Sequence, residues 1–235
     1  MNTKLLKEAL SASAYPGRGI ILGANEAGRA VIAYFIMGRS ANSRNRVFMP
    51  QGEGLRTEAF DPTKVIDPSL IIYNPVRVLG DSTIVTNGNQ TDTIYDHMVS
   101  GGSFETALAT RSFEPDAPNF TPRISGIVTL KDKNFSYKLS ILKSLGTPSG
   151  CARFFFDYDT PVNGLGHFIH TYQGDGNPLP SFEGEPERVA LSGDIDRIAG
   201  DIWDALDASN RISLFVRLID PNAKSFTTRI INQNK

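Results

Sequence analysis

Apolar residues in this chain gather mostly in runs of strand length, and near the middle of the chain that rhythm gives way to a longer period. RGIILG (18–23) and AVIAYFIM (30–37) are two such runs, and Asn25 to Gly28 between them reads as a hairpin turn. Further strands are expected at RTEAF (56–60), SLIIYN (69–74), VRVLG (76–80) and TIVTNG (83–88), the last two meeting at Gly80-Asp81-Ser82. The period then changes. TDTIYDHMVSGG (91–102) and SFETALATRSF (103–113) read as consecutive helices, with Thr91 or Asp92 and Ser103 as N-caps. RISGIVTL (123–130), SYKLSILKSL (136–145), ARFFFDY (152–158) and LGHFIHTY (165–172) return to strands. The polar, Gly/Pro-rich QGDGNPLPSFEGEP (173–186) is long enough for a lid or a surface excursion. A helix over 193–208 and strands over 211–219 and 225–231 follow, and a short helix over 3–12 opens the chain. Helices grouped between strands, rather than alternating with them, predict an α+β protein with sheets packed together and helices outside.

At 235 residues and 40% hydrophobic content the chain suits one large domain, or at most two small ones. Its formal charge of −1 argues against a nucleic-acid partner, which draws on a broad basic surface. No apolar stretch approaches the roughly 20 residues that span a bilayer, and the start, MNTKLLKEALSASAYPG, resembles neither a signal nor a transit peptide. The expectation is therefore a cytoplasmic protein with no membrane partner. One cysteine, Cys151, excludes an intrachain disulfide and a thiolate metal cage.

The usual phosphate-loop, dinucleotide, zinc-protease and nucleophile-elbow motifs are absent. His167 and His170 lie three apart in an expected strand and point to opposite faces, so no metal and no cofactor is expected. What remains is a chemistry of anion recognition. GRSANSRNRVF (38–48) carries Arg39, Arg44 and Arg46 without one acidic residue, and Arg18, Arg77 and Arg123 also fall in or at the ends of strands. A guanidinium fork fits phosphate oxygens two at a time; the alternative is a solvated loop with a few salt bridges. The arginine stretch should be a loop or an irregular edge, and Arg44 and Arg46 share a face if it is extended. Asn74, Asn87 and Asn89 sit near turns, where asparagine either accepts a left-handed backbone or reads an amide edge. Glu114 precedes Pro115 and is therefore extended; it is either a surface acid or a group with a task.

Several stretches together resemble the archaeal-type inosine monophosphate (IMP) cyclohydrolases: YPGRGIILG (15–23), AYFIMGRSANSRNR (33–46), YNPVRVLGDSTIVTNGNQTDTI (73–94), FEPDAPNFTPRI (113–124) and FIHTYQG (168–174). The resemblance covers about residues 14–175 and implies a four-layer αββα sandwich, like that of N-terminal-nucleophile hydrolases but without autoprocessing. It implies a single domain over 1–235, with 176–235 as a C-terminal extension, and a homo-oligomer. The implied activity is closure of 5-formamidoimidazole-4-carboxamide ribotide to IMP with loss of water, so the partner is a purine ribonucleotide. Tyr73 and Glu114 are then the catalytic candidates, and Arg18, Arg39, Arg44, Asn74, Asn87, Asp92 and Arg123 the substrate-binding ones. The connector around Glu114 is slightly longer than the family's form. The substrate supplies its own nucleophile, an amide nitrogen, so no processed N-terminal Ser, Thr or Cys is needed. A nucleotide-binding paralogue without turnover and an amide-bond hydrolase on the same fold are the alternatives.

Overall fold

The computed structural model describes residues 3–65, 68, 71–147 and 149–234. In chain order its elements are β1 (Lys4–Leu5), α1 (Leu6–Ser11), β2 (Arg18–Ala24), β3 (Ala30–Met37), α2 (Ala41–Arg44), β4 (Arg46–Gln51), β5 (Gly54–Ala59), a 3₁₀ turn (Pro62–Lys64), β6 (Val76–Leu79), β7 (Ser82–Thr86), α3 (Gln90–Val99), α4 (Phe104–Ala109), β8 (Arg123–Lys131), β9 (Asn134–Ser144), β10 (Cys151–Tyr158), β11 (Leu165–His170), β12 (Glu187–Ala190), α5 (Ile195–Ala205), β13 (Arg211–Asp220) and β14 (Ser225–Asn232).

The strands form two seven-stranded sheets, ordered β1-β12-β11-β2-β3-β13-β14 and β10-β9-β8-β7-β6-β5-β4. Pairing is antiparallel throughout except between β1 and β12. The uninterrupted apolar run of β3 is explained by its place: all eight of its residues are buried, because both faces of the strand are covered. Val31, Ala33 and Phe35 pack with Leu6, Leu10, Ile198 and Ile202 of α1 and α5. Ile32, Tyr34 and Ile36 face the second sheet, meeting a layer that includes Val85, Ile124 and Leu139. On the far side of the second sheet, Ile84, Ile127 and Leu142 pack against Ile94 of α3 and Phe104 and Leu108 of α4. The result is a mixed α+β structure of two facing sheets with helices against their outer faces.

Three local expectations change. The arginine stretch is not a loop: Ser40 accepts from Ser43 N–H and caps a four-residue helix before β4 begins. Residues 71–74, expected in a strand, form none; they are held by Thr57, whose N–H donates to the Tyr73 carbonyl at 2.9 Å and whose hydroxyl donates to that of Ile71 at 2.7 Å. Ser69 and Leu70 of the same expected strand lie outside the described residues. The N-cap of α3 is Asn89, because Thr91 and Asp92 already lie in its first turn and Thr91 Oγ1 donates back to the Gly88 carbonyl. Segment 176–235 is built into the first sheet, with β13 paired to β3 from Arg211 to Ile219. His167 and His170 do diverge: His167 meets Tyr137 of the second sheet, and His170 stacks on Phe168. Among the described residues, no helix is long and apolar enough to cross a membrane.

Candidate functional site

One rim of the two sheets gathers strand ends. Arg18 opens β2, Arg46 opens β4 and Arg123 opens β8, while β7 ends at Thr86 and leads into Asn87 and Gly88. Because neighbouring strands are antiparallel, these starts lie beside the ends of β3 and β11, which supply Arg39 and Tyr172. The side chains surround a hollow of about 240 Å³ lined by Arg18, Arg39, Arg46, Asp116, Thr121, Tyr15 and Tyr172, among others.

Glu114 is 2% exposed and sits between two guanidinium groups, 3.5 Å from Arg18 and 4.0 Å from Arg123. Its carboxyl is nevertheless pushed above the ordinary value, because burial outweighs the attraction of Arg18 and Arg123. The opposite balance holds at Arg18: burial disfavours its charge, but Glu114 and the phenols of Tyr172, Tyr73 and Tyr34 prevail and hold the proton more tightly. Arg123 donates to Gln90 Oε1 at 2.8 Å, and Gln90 is held by Asn87 Oδ1 at 2.9 Å. Gly88 makes room for this cluster: a Cβ there would fall 2.6 Å from the Arg123 guanidinium and 2.7 Å from Gln90 Oε1.

Arg46 is fully buried. Its Nε donates to the Ser43 carbonyl at 2.8 Å, while Nη1 has no partner among the described residues. Burial lowers its pKa, opposed by phenols of Tyr73, Tyr34 and Tyr15. Arg18 Nε is also buried without a partner among the described residues. Tyr34 and Tyr73 join hydroxyls at 2.7 Å beside these two arginines. At the mouth, Arg39 pairs with Asp175 and the Gly176 carbonyl, and Leu179 N–H donates to Asn119 Oδ1, so segment 173–186 forms one wall.

The expected site residues do not all meet. Arg18 and Arg39 line the hollow, Glu114 and Arg123 stand behind Arg18, and Tyr73 is linked to it through Tyr34, which lies beside Arg18 and Arg46. Arg44 does not: closing α2 turns it away from Arg46, and it donates to the Gly38 carbonyl and Asn210 Oδ1, each at 3.1 Å. Asn87 is fully buried with its amide turned inward, donating to the Pro122 carbonyl and accepting from Ile124 N–H and Gln90. Asn74 and Asp92 line a larger, separate hollow of about 670 Å³, where Arg77 bonds Asp92 at 2.9 Å and stacks on Tyr95. Charge decides between the hollows. The larger one sets Arg77 against Glu53, Asp92 and Asp96; the smaller sets Arg18, Arg39 and Arg46 against Asp116. An anion is repelled by the first and attracted by the second. Tyr34 and Gln90, which lie within the quoted stretches but were not singled out as site residues, contact Tyr73 and Arg123 here. Arg46 was visible only as one arginine among several. Among the described residues, no three His, Cys, Asp or Glu side chains are placed to hold a metal.

IMP cyclohydrolase of Methanococcus maripaludis (strain S2) is 31% identical over 127 residues, covering 52% of this chain and 62% of that protein. IMP cyclohydrolase of Methanopyrus kandleri is 32% identical over 115 residues, 47% of this chain and 57% of that protein. That of Methanothrix thermoacetophila is 30% identical over 120 residues, 49% and 58%. The chain thus spans about three-fifths of the length of these curated relatives. The profile of the family described as IMP cyclohydrolase-like protein matches residues 15–224, a span that opens at Tyr15 on the hollow's wall and runs past the last residue lining it. By that match the chain belongs to the IMP cyclohydrolase-like protein family.

Proposed function

We propose that this chain is an IMP cyclohydrolase, closing 5-formamidoimidazole-4-carboxamide ribotide to IMP with loss of water. The observation that carries the reading is Arg46: a fully buried guanidinium with no carboxylate partner among the described residues, next to a second arginine, Arg18, whose Nε is buried without a partner among the described residues. A charge taken out of water is costly unless something of opposite sign meets it, and a 5′-phosphate would. Arg18, Arg46 and Arg39 hold that phosphate; Arg44 has no part in it.

Ring closure needs three things. Holding the carboxamide and formamide in a reactive rotamer is worth up to roughly 7–11 kcal/mol in favourable intramolecular systems. A preorganised donor at the formyl oxygen, which gains negative charge as its carbon is attacked, adds about 3–4 kcal/mol. Tyr73 fills that role. Tyr34, whose phenol burial keeps protonated, shares a 2.7 Å hydrogen bond with Tyr73; with Tyr34 as its donor, the Tyr73 hydroxyl keeps its own proton for the formyl oxygen. Glu114 moves the protons, at about 10²–10⁴ in rate: one leaves the carboxamide nitrogen for the formyl oxygen as the ring closes, and one leaves the former formamide nitrogen for the hydroxyl, which departs as water. A carboxyl that burial keeps from giving up its proton readily suits a group that must both take and return one. Asn87 and Gln90 position Arg123 and, through it, Glu114.

The proposal further takes the chain as one domain over 1–235 with the αββα layering of N-terminal-nucleophile hydrolases, working in the cytoplasm as a homo-oligomer, without autoprocessing or a cofactor. Incubation of the purified protein with the formylated ribotide, followed by ultraviolet absorbance of IMP, tests the activity. Tight IMP binding without turnover would assign it instead to a nucleotide-binding paralogue.

A further inference from the structure

The two sheets treat their outer strands differently. At one end of the second sheet, the Asn232 amide caps β4: it accepts from Phe48 N–H at 2.8 Å and donates to the Phe48 carbonyl at 3.0 Å, and Pro50 removes another donor. At the ends of the first sheet, β1 is two residues long and β14 carries the Arg229–Asp196 ion pair. The other end of the second sheet is β10, eight residues long, with no proline and no comparable cap among the described residues. Its sequence, CARFFFDY, leaves Phe154 44% and Phe155 39% exposed, and Leu145 and Val162 stand exposed in the connections at either end of the strand. A long, apolar, uncapped edge is a template for another strand.

The side chains of β10 say which strand. Arg153 and Asp157 lie two residues either side of Phe155, and register with Leu142 and Lys138 of β9 puts them on the same face as Phe155. An antiparallel copy of β10 centred on Phe155 therefore sets Arg153 opposite the partner's Asp157 and Asp157 opposite the partner's Arg153, with the phenylalanines stacked between the two ion pairs. Few sequences are complementary to themselves in this way, and a two-fold interface requires it. Both charges have capacity left. Arg153 donates once, to the Arg111 carbonyl, and Asp157 keeps most of its surface in water beside Lys138. We propose that β10 is a homodimer interface at which two copies pair edge to edge about Phe155, joining their second sheets into one.

Charge exchange tests this with the full-length protein. Arg153→Asp places two Asp–Asp contacts across the axis, and Asp157→Arg places two Arg–Arg contacts. Like charges directly opposite are destabilising, so each variant alone should dissociate about fivefold or more readily in sedimentation velocity. Mixing the two variants restores both attractive pairs, and a heterodimer of near wild-type affinity is the expected result. Damage to folding would not be repaired by mixing, so that outcome separates an interface from a structural defect. A wild type that stays monomeric up to its solubility limit, single variants that associate as the wild type does, or a mixture no stronger than its components would each overturn the proposal. None of these readouts depends on ring closure, so the interface and the proposed activity stand or fall separately.

Discussion

If Arg46 holds the phosphate as proposed, it is where binding and stability oppose each other. A buried cation without a counter-charge destabilises the free protein, and replacing such a group with an apolar one of similar length is often neutral or stabilising by about 1–4 kcal/mol. Arg46→Met should therefore melt at the same temperature as the wild type or higher in the absence of ligand, by calorimetry. The same change should weaken IMP binding at least about tenfold, the scale of one lost charged hydrogen bond, and remove most of the thermal stabilisation that IMP confers. A variant that melts lower and binds normally would mean that Arg46 is a structural strut. Glu114 gives a second test, in pH. Its folded-state pKa lies above the unfolded value of about 4.3 because burial outweighs Arg18 and Arg123. The native state then holds this proton more tightly than the unfolded chain. Its contribution is complete below about pH 4.3 and is lost as pH rises through the elevated folded value. Glu114→Gln should flatten that fall in stability, measured by denaturant midpoints across pH 4–8, and abolish the acid limb of the kcat/KM profile.

Short elements decide which arginines reach the hollow. α2 has four residues, too few for any hydrophobic period to show, so ANSR reads from sequence as part of a loop. Once Ser40 caps that single turn, Arg44 and Arg46 no longer share a face: Arg46 lines the hollow, and Arg44 bonds the Gly38 carbonyl and Asn210 instead. Arg44→Ala should leave the dissociation constant for IMP within about twofold of wild type by isothermal titration, while Arg46→Met does not. The paired helices were legible because Ser103 caps α4 with its side chain, accepting from Thr106 N–H, and because the apolar spacing changes there. The strands were legible from their runs. Glu114 and Arg123 could be named because motif and chemistry agreed. Tyr34 could not, since it sits in an apolar run and acquires its role only when β3 faces Tyr73 across the inter-sheet layer. The bonding of Asn87 was hidden for a related reason: an amide near a turn looks free in one dimension, and here the Pro122 carbonyl, Ile124 N–H and Gln90 engage it.

At the scale of the molecule, the last sixty residues are the least expected part. Their resemblance to shorter relatives was not readable, which left open whether they cover the site, mediate assembly or extend the sheets. They extend the first sheet, and they also close a core: β13 lies between β3 and β14, and Leu214 on it is fully buried with Phe35 and the helices α1 and α5. An appended segment would melt on its own and leave the rest folded. An inserted strand cannot, because removing it uncovers β3 on a whole edge and strips α5 from the sheet. Leu214→Ala should cost about 2–5 kcal/mol, which for a chain of this size lowers the melting temperature by about 4–20 °C. The consequence of integration is that this loss appears as one transition, seen alike by circular dichroism and by loss of IMP binding, although Leu214 sits on the helix side of the first sheet and the hollow lies at the rim between the sheets. Two transitions, with IMP binding surviving the first, would make the segment a separate unit and detach the hollow from it.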